Sequence, residues 1–479
     1  MIRNTLILIL ILFISIQELI AKIPKKKKPN IIVFIADDAS PDFGSYGNKY
    51  VKTPNIDKLA AKGVQFNNAF VSSPQSSPSR ISMMTGQYAH TLGVEDLHTP
   101  IDDKTRMIPS YLKEAGYYTG CLLKTHWGDY GTKQFDFSFV NKKDLYYESY
   151  MTSTNKFFLQ YQKFLDQADN KPFFMWVGFI DPHRPYKEPQ TKNVHQPDQV
   201  FLPPTFVDGP GSREDLVDYY DEIHRLDQHV GFMLAELERR GVIDNTVVIF
   251  LSDNGMPFQR AKGFLYDSGT RIPLIVSWPG QTKEGVKHTN GFVSGVDMAP
   301  TILDMAGIPA PEYMYGKSFL PLITDPASRG RAAIFTERNW HDTEEYGRSI
   351  RTEKFKLIYN GIPNTTAANT GDMRLSPAWY ELLAAKREGK LKPEQSQLFL
   401  FPRPTIELYD LESDPYELNN LAGRAEYLET AMTLMKQLLD WQKATKDTKP
   451  GDRVKEDIID RMTGIPVTPA LLRNVDKDL

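Results

Sequence analysis

Two acidic motifs, each following an apolar stretch of the chain, could together bind a metal ion. Asp37 and Asp38 come directly after one such stretch, and Asp253 and Asn254 come just after another. Both stretches are continuous and rich in β-branched residues, which predicts strands that are buried on both faces. Because ligand sites in parallel α/β sheets lie just past the carboxyl ends of strands, we expect the two motifs to meet at one edge of the sheet.

The chemistry of these side chains favours a hard divalent cation. Two adjacent carboxylates repel each other unless a cation lies between them. Carboxylate and amide oxygens, without histidine or cysteine, are typical ligands of Ca²⁺ and Mg²⁺, and we predict Ca²⁺ first and Mg²⁺ second. An isolated Asp-Asp pair is more often a turn with a helix cap, but the second motif at a strand end favours the metal site.

A serine-rich segment runs from Ser76 to Arg80 and is followed, after five residues, by Gly86. Taken alone it is an ordinary entry from a loop into a helix. The pattern Ser-x-Pro-Ser-Arg, five residues and Gly closely resembles the maturation motif of type I sulfatases, with Thr85 directly before the glycine. The resemblance implies that a Ser-type maturing enzyme oxidises Ser76 to formylglycine, the catalytic nucleophile, and that Arg80 favours its ionised form.

The same resemblance assigns the metal ligands. Members of the family bind the metal with a strand followed by Asp-Asp, with a later Ser-Asp-Asn-Gly segment and with the modified residue. The matching positions in this chain are Asp37, Asp38, Ser76, Asp253 and Asn254.

Four further residues match the cationic groups that surround the sulfate in this family. Lys124 and His126 lie in a segment that resembles Gly-Lys-x-His, although Leu123 stands in place of the glycine. His183 and Lys262 match the second histidine and a later lysine. The resemblance implies that His183 donates a proton to the leaving group, that His126 is a base, and that the lysines stabilise the sulfuryl oxygens.

The substrate is less narrowly indicated. Segments such as 135–137 and 376–379 resemble the heparan N-sulfatase (sulfamidase) branch and bacterial polysaccharide sulfatases. The resemblance implies a sulfated polysaccharide or its oligosaccharides, either an algal polysaccharide such as ulvan or a glycosaminoglycan, with O- and N-sulfate both open. Arg184, Arg338 and His341 are candidate contacts to sulfate or carboxylate groups, and the alternative is that they are surface charges.

Alternating strands and helices must position these residues. Continuous apolar runs predict strands, and the clearest helical stripe lies at 212–240, with Ser212 as its cap and Gly241 as its stop. The pattern predicts an α/β sandwich around a large, mostly parallel sheet, and the resemblance implies an alkaline-phosphatase-like fold. The strands are predicted at four places, namely 30–36, 173–179, 246–251 and 274–278.

The character of the sequence changes after residue 326. A hairpin at 349–359, a strand at 407–411 and a helix at 425–446 predict a smaller α+β subdomain with a short antiparallel sheet. The predicted division of the chain is a signal peptide at 1–21, a basic linker at 22–28, a catalytic domain at 29–330 and a C-terminal subdomain at 331–479.

The N-terminus and the composition bear on the compartment and the partners. Arg3, an apolar run at 6–16 and a cleavage point after Ala21 predict a signal peptide, and the run is too short for a stable membrane span. Cys121 is the single cysteine of the chain, which excludes an intramolecular disulfide. An exported protein without disulfides and with serine at 76 fits a bacterial periplasmic or secreted protein. The net charge of -3 argues against nucleic-acid binding.

Two other functions are compatible with parts of the pattern. A phosphomonoesterase or phosphodiesterase of the alkaline phosphatase superfamily would share the fold and a metal-bound oxygen nucleophile. The Ser76 motif and the set of ligands for one metal argue against it. An inactive protein that binds sulfated glycans is the second alternative, since an unmodified serine would stall after one sulfuryl transfer.

Overall fold

The computed structural model describes residues 27–97, 99–140, 154–186, 194–342, 344–367 and 369–449. The predicted signal peptide lies outside the described residues. Within the described ranges, no helix combines the length and the apolar character that crossing a bilayer requires.

Fourteen strands form three sheets within the described residues. Their bounds are β1 Asn30–Ala36, β2 Val64–Phe66, β3 Ala69–Phe70, β4 Tyr118–Leu123, β5 Phe137–Phe139, β6 Phe173–Gly178, β7 Thr246–Ser252, β8 Leu274–Ser277, β9 Val286–His288, β10 Val293–Ser294, β11 Ala333–Arg338, β12 Gly347–Thr352, β13 Phe355–Asn360 and β14 Ile406–Asp410.

The large sheet has eight strands in the order β5-β4-β6-β1-β7-β8-β2-β9. The strands β5, β4, β6, β1 and β7 are parallel to one another. The next strand, β8, runs antiparallel to both β7 and β2. The prediction of a large, mostly parallel sheet is therefore confirmed. The central strands β4, β6, β1 and β7 are adjacent and parallel, so their carboxyl ends lie side by side.

Helices cover both faces of this sheet and pack against the small one. The α-helices are α1 Pro54–Ala61, α2 Ser76–Thr85, α3 Ala89–Leu92, α4 Ile108–Glu114, α5 Gly128–Thr132, α6 Thr154–Ala168, α7 Pro210–Arg239, α8 Asp267–Thr270, α9 Met298–Met305, α10 Leu320–Thr324, α11 Pro377–Arg387, α12 Pro393–Ser396 and α13 Leu428–Ala444. The 3₁₀ helices are Gly44–Tyr46, Ile243–Asn245, Gly295–Asp297, Met373–Leu375, Gln397–Phe399 and Ala425–Tyr427.

The central strands are apolar on both faces because both faces are covered. Val33 and Ile249 belong to one core, which includes residues of α4 and α9. Ile32 and Phe250 belong to the other core, together with residues of α6 and α7. Burial on both sides explains why β1 and β7 read as continuous apolar runs instead of alternating ones.

The C-terminal part contains a four-stranded antiparallel sheet in the order β11-β12-β13-β14. Leu438 and Trp441 of α13 pack on this sheet through a core that includes Ile350, Leu357 and Leu408. The predicted hairpin, the later strand and the terminal helix are confirmed. The boundary at residues 330 and 331 stays a prediction.

The start of the long helix α7 differs from the prediction. The helix begins at Pro210, and Gly209 is the N-cap residue, without a side-chain cap. Ser212 is therefore in the first turn, where its backbone N–H donates to Glu381 at 2.7 Å. Proline at the first helical position fixes the start three residues earlier than a serine cap at position 212 would. The predicted stop is confirmed, since the helix ends at Arg239 and Gly241 has a φ of +65°.

Candidate active site

Four adjacent strands deliver polar side chains to the same edge of the sheet. Asp37 follows β1, Asp253 follows β7, Lys124 follows β4, and His183 lies in the segment after β6. The last residues of β1 and β7 are partners in the parallel register, so the two acidic motifs start at the same level. The predicted meeting of these motifs at one sheet edge is confirmed.

Ser76 is the first residue of α2 and is buried beside the acidic motifs. Its hydroxyl donates to Oδ1 of Asp37 at 3.1 Å. The N-terminus of a helix carries a partial positive charge, because its first N–H groups have no partners within the helix. An oxygen at position 76 is therefore in a place that favours negative charge.

Arg80, one turn further along α2, connects three parts of the site. Its Nε donates to Asp253 Oδ2 at 2.8 Å, and its Nη1 donates to the carbonyl oxygen of Lys124 at 3.0 Å. Gly178 at the end of β6 makes this approach possible. A Cβ at position 178 would lie 1.9 Å from the Lys124 carbonyl oxygen and 2.8 Å from Nη1 of Arg80.

Asp38 has a left-handed backbone, with a φ of +70°, which is costly for a residue other than glycine. This conformation brings its carboxylate to Asn254, whose Nδ2 donates at 2.8 Å, and to Lys262, whose Nζ donates at 2.7 Å. The backbone N–H of Asp38 donates to Asp253 Oδ1 at 3.0 Å. These contacts tie the ends of β1 and β7 to each other.

The pKa values of the buried carboxyls move in opposite directions. Burial raises the pKa of Asp38 to about 7, repulsion from Asp37 adds to the shift, and Lys262 opposes it. Burial also acts to raise the pKa of Asp253, but the charges of Arg80 and Lys124 outweigh it and lower the value to about 2. The neighbouring cations therefore stabilise the charged form of Asp38 less than that of Asp253.

The residues present fit a divalent cation. Oδ1 of Asn254 is buried and has no hydrogen-bond partner among the described residues. Ligand atoms of Asp37, Asp38 and His183 lie within 4.8 Å of one another. The surrounding side chains favour a bound cation, because four carboxyl groups face three lysine and arginine side chains. The carboxylates are Asp37, Asp38, Asp253 and Asp372, and the cationic side chains are Arg80, Lys124 and Lys262.

His183 lies beside the acidic groups in the segment after β6. Its Nε2 is 3.8 Å from Asp38 Oδ2 and 3.7 Å from Asp372 Oδ2. Its Nδ1 contacts the backbone carbonyl oxygen of Arg184, which fixes the orientation of the ring. The Nε2 atom therefore faces the carboxylates, where a ring nitrogen can carry a proton to or from a reacting group.

The segment after β4 holds Lys124 and His126 in a strained turn. Leu123 has a φ of +68° and His126 a φ of +64°. The resemblance expects glycine at position 123, and the backbone there has the conformation that glycine adopts without strain. Nζ of Lys124 contacts Asp37, and the carbonyl oxygen of His126 accepts from the Ser77 hydroxyl at 2.7 Å. The turn therefore adjoins the start of α2.

Asp372 belongs to this candidate site, and it is not among the residues predicted from the sequence. Its Oδ2 accepts from Nζ of Lys262 at 2.7 Å, and it lies near His183. Asp372 precedes a 3₁₀ helix in the region that follows β13. No periodic pattern or spacing places such a residue. The only nearby signal is the segment 376–379, four residues further on, which resembles the sulfamidase branch.

Two buried arginine–aspartate pairs hold the His183 segment against α7. Arg184 donates to both oxygens of Asp215, at 2.6 and 2.9 Å. Arg225 donates to both oxygens of Asp181, at 2.9 and 2.6 Å. The guanidinium of Arg184 is therefore paired with Asp215 in this structure. Its role as a substrate contact stays a prediction.

The other two predicted substrate contacts lie in the segment from β11 onward. Arg338 Nη2 is 3.3 Å from Glu345 Oε1, and its guanidinium lies over the ring of Phe264 at 4.3 Å. Nδ1 of His341 lies 2.7 Å from Oδ2 of Asp342, and its Nε2 is buried without a partner among the described residues. Both roles stay predictions.

Two models of protein families match this chain. The model described as "Sulfatase" matches residues 29–308. The model described as "N-sulphoglucosamine sulphohydrolase, C-terminal" matches residues 259–369.

Characterised relatives cover most of the chain. The human N-sulphoglucosamine sulphohydrolase is 33% identical over 457 residues, which is 87% of this chain and 90% of that protein. An ulvan-active sulfatase of Formosa agariphila is 30% identical and covers 89% of this chain and 76% of its own length. An N-acetylglucosamine-6-O-sulfatase of Bacteroides thetaiotaomicron is 26% identical and covers 89% of this chain and 88% of its own length.

Solved structures share the fold. The structure of BT4656 in complex with its substrate D-glucosamine-2-N,6-O-disulfate has a TM-score of 0.68 at 23% identity, covering 88% of this chain and 99% of that one. The putative sulfatase yidJ of Bacteroides fragilis has a TM-score of 0.67 at 22% identity, covering 88% and 97%.

Proposed function

Since the chain belongs to the sulfatase family and is a sulfohydrolase, we propose that it removes sulfate from a sulfated polysaccharide or its oligosaccharides. In this proposal residue 76, oxidised from serine to formylglycine, is the nucleophile, and Ca²⁺ is the bound metal. The observation that carries the proposal is the contact of Ser76 with Asp37 at the N-terminus of α2, next to Arg80 and Lys124.

The proposed metal ligands are Asp37, Asp38, residue 76, Asp253 and Asn254. The unpartnered Oδ1 of Asn254 supports this set, and so does the raised pKa of Asp38, which burial produces. A divalent cation bound there supplies positive charge to the nucleophile and to the sulfuryl oxygens. Oxygen ligands favour Ca²⁺ over softer metals, and Mg²⁺ is the second choice.

The oxidised residue 76 would supply two hydroxyl groups after hydration, one to attack sulfur and one to release sulfate afterwards. Position 76 favours a negatively charged oxygen because the helix N-terminus and Arg80 both lie near it. Lys124 and Lys262 are placed to balance charge on the sulfuryl oxygens. His183 is the proposed proton donor to the leaving group, and His126 the proposed base.

We propose a sulfated amino sugar or a related polysaccharide unit as the substrate. The human relative is named for N-sulphoglucosamine, and another relative is ulvan-active. Arg184, Arg338 and His341 are the proposed contacts to neighbouring sulfate or carboxylate groups. We also propose a periplasmic or secreted location, because such polysaccharides occur outside the cytoplasm.

Mass spectrometry of the peptide that contains Ser76 tests the nucleophile. After co-expression with a Ser-type maturing enzyme, we expect a loss of about two mass units at residue 76, the change from an alcohol to an aldehyde. The matured protein should release sulfate from N-sulfated glucosamine or from ulvan oligosaccharides. The Ser76→Ala protein, treated in the same way, should release none, and Ser77→Ala is the matched control that keeps the nucleophile.

Two outcomes would contradict the proposal. A matured protein that cleaves phosphate esters but no sulfate ester or N-sulfate would favour the phosphatase alternative. Full sulfate release by protein whose Ser76 is shown to be unmodified would exclude the formylglycine step.

A further inference from the structure

One charged cavity is lined by Arg338, a proposed substrate contact, and by none of the residues proposed for the chemistry at sulfur. The cavity has a volume of about 160 Å³. We call it the arginine cavity, because Arg260, Arg338 and Arg403 line it from three different segments. Arg260 lies two residues before Lys262, which contacts Asp38, so a short stretch of chain connects the lining of the cavity to the proposed active site.

The arginine cavity holds more positive than negative charge. Three arginines and one carboxylate, Glu407, line it, and Arg338 and Arg403 both contact Glu345, at 3.3 and 3.1 Å from its Oε1. The carboxylate that lines the cavity, Glu407, accepts hydrogen bonds from Tyr266 and other neutral donors. Three guanidinium groups therefore face two carboxylates, one of which is bound by neutral groups.

Arg260 adds positive charge without a carboxylate of its own in hydrogen-bond contact. Its Nη1 donates to the backbone carbonyl oxygen of Tyr416 at 2.8 Å, and its Nη2 contacts the carbonyl oxygen of Glu417. The guanidinium stacks on the ring of Tyr266 at 3.5 Å from its centre. Main-chain carbonyls and an aromatic face hold this cationic group in place.

The state of Arg338 agrees with this excess of positive charge. Burial lowers the pKa of its guanidinium, and the charge of Arg403 adds to the effect, although Glu345 opposes it. A buried cation is stabilised by a negative group close by. An anion in the arginine cavity would supply that group.

We propose that the arginine cavity binds an oxyanion, a sulfate or carboxylate group that the enzyme does not hydrolyse. Guanidinium groups suit this role because their planar forks match two oxygens of such a group at once. Leu400, one of the lining residues, is 45% exposed, so part of the wall of the cavity lies at the protein surface. The anion comes either from a second substituent on the sugar, which rests on the proposed function, or from free sulfate.

Calorimetric binding to the full-length, calcium-loaded Ser76→Ala protein tests the proposal without turnover. The probes are D-glucosamine-N-sulfate, D-glucosamine-N,6-O-disulfate and inorganic sulfate. We expect the disulfate to bind about 10- to 100-fold more tightly than the monosulfate, the range that loss of a charged hydrogen bond represents. Adding Arg338→Met should remove this preference. The cavity then loses one guanidinium group, while Glu345 keeps its contact with Arg403.

Arg329→Met is the matched control, since Arg329 makes an exposed ion pair with Glu353 at 3.2 Å and should leave the preference intact. Arg338→Lys keeps the charge and should lose only part of the preference, which covers the case in which Arg338→Met does not fold. If Arg338→Met weakens the binding of inorganic sulfate but the wild type has no preference for the disulfate, free sulfate is the ligand.

The proposal is overturned if neither variant of Arg338 changes the binding of the disulfate or of inorganic sulfate. This failure differs from a failure of the proposed function, which appears as a matured protein that releases no sulfate. Binding to the arginine cavity and sulfate release by residue 76 are therefore measured on separate samples.

Discussion

Two buried ion networks in this protein use the same kinds of side chain for different ends. The sheet-edge network is the set of four carboxylates and three cationic side chains in the proposed active site. The Lys356 network consists of Asp267, Lys356, Glu417 and Arg351, two carboxylates with two cations. In the first network four carboxyl groups outnumber three lysine and arginine side chains, and the second has two of each.

Hydrogen bonding repeats the difference. In the Lys356 network, Asp267 accepts from Lys356 at 2.6 Å and from Arg351 at 3.2 Å, and both oxygens of Glu417 have donors. In the sheet-edge network an acceptor, Oδ1 of Asn254, is buried without a partner among the described residues, whereas in the Lys356 network the buried atom without a partner is a donor, Nε of Arg351. A balanced network is strongly destabilised when one partner is removed, whereas an excess of negative charge favours a bound cation.

The largest effect should come from removing the cation. Treating the matured enzyme with a chelator should lower sulfate release by at least about 10³-fold, because the carboxylates would then repel the negatively charged sulfate. Ca²⁺ should restore release, and Mg²⁺ should do so less well. The measurement is sulfate release after dialysis against chelator and after each ion is added back.

Full sulfate release in chelator would contradict this prediction, because the sheet-edge network would then need no bound cation for activity. A Lys356→Met enzyme that still folds is the useful control. Its dependence on Ca²⁺ should equal that of the wild type, since Lys356 contacts Asp267 and Glu417 and not the sheet-edge network.

Breaking the balanced network should have the largest effect on folding. Lys356→Met leaves two buried carboxylates with one partner fewer, which should lower the free energy of unfolding by about 3–5 kcal/mol. Lys354→Met removes an exposed lysine that pairs with Glu412 at 3.3 Å, and it should cost far less than Lys356→Met, because water screens the exposed pair. Urea unfolding at a fixed Ca²⁺ concentration measures both, and equal costs would show that the Lys356 network does not stabilise the fold.

The sequence predicted most residues of one network but not those of the other. The acidic motifs of the sheet-edge network were predicted because β1 and β7 are buried on both faces and read as apolar runs. Their ends could therefore be placed, and parallel strands bring such ends together. The contacts of Lys356 were not predicted, because its partners Asp267 and Glu417 lie 89 and 61 residues away and only tertiary packing brings them together.

Asp372 shows the limit inside the active site itself. It reaches Lys262 from a region without strand or helix periodicity, 110 residues away along the chain. Ser212 shows a different limit, since a serine near a helix start predicts a cap, but Pro210 set the start earlier. The residues found from sequence were those at strand ends or in a motif, and the others depend on packing between distant segments.

The pH dependence of folding should separate the networks further. Burial acts to raise the pKa of Asp267, but Lys356 and Arg351 outweigh it and lower the value below its ordinary 3.8. A carboxyl with a lowered pKa stabilises the fold above its unfolded value, and this contribution is lost as the pH falls below it. Asp267→Asn should therefore cost about 1.5–3 kcal/mol near neutral pH, and less below about pH 4.

The readout is the difference between wild type and Asp267→Asn, measured by urea unfolding from pH 7 to pH 3. The wild-type curve alone is not informative, because burial raises the pKa of Glu417, which gives it the opposite dependence on pH. Asp440→Asn, in an exposed pair with Lys436 at 2.7 Å, should differ from the wild type by about 0.5 kcal/mol or less throughout. A cost of Asp267→Asn that stays constant down to pH 3 would exclude the lowered pKa.

The smallest effect on folding should come from Asn254→Ala, and it tests the sheet-edge network most directly. The change removes the hydrogen bond to Asp38 at 2.8 Å and the unpartnered oxygen, so in chelator it should cost only about 1 kcal/mol. The affinity for Ca²⁺ should nevertheless fall at least about tenfold, because a ligand of the cation is lost. Thermal unfolding midpoints measured against Ca²⁺ concentration give both quantities.

Asn68→Ala, which removes a hydrogen bond to the carbonyl oxygen of Thr289 at 3.0 Å, should shift neither the affinity nor its dependence on Ca²⁺. A loss of several kcal/mol in chelator with unchanged Ca²⁺ affinity would mean that Asn254 serves the fold. The sheet-edge network would then resemble the Lys356 network, with a charge excess that the protein tolerates without using it. The opposite result, little cost to folding and weaker Ca²⁺ binding, requires that the unpartnered oxygen is kept for the cation.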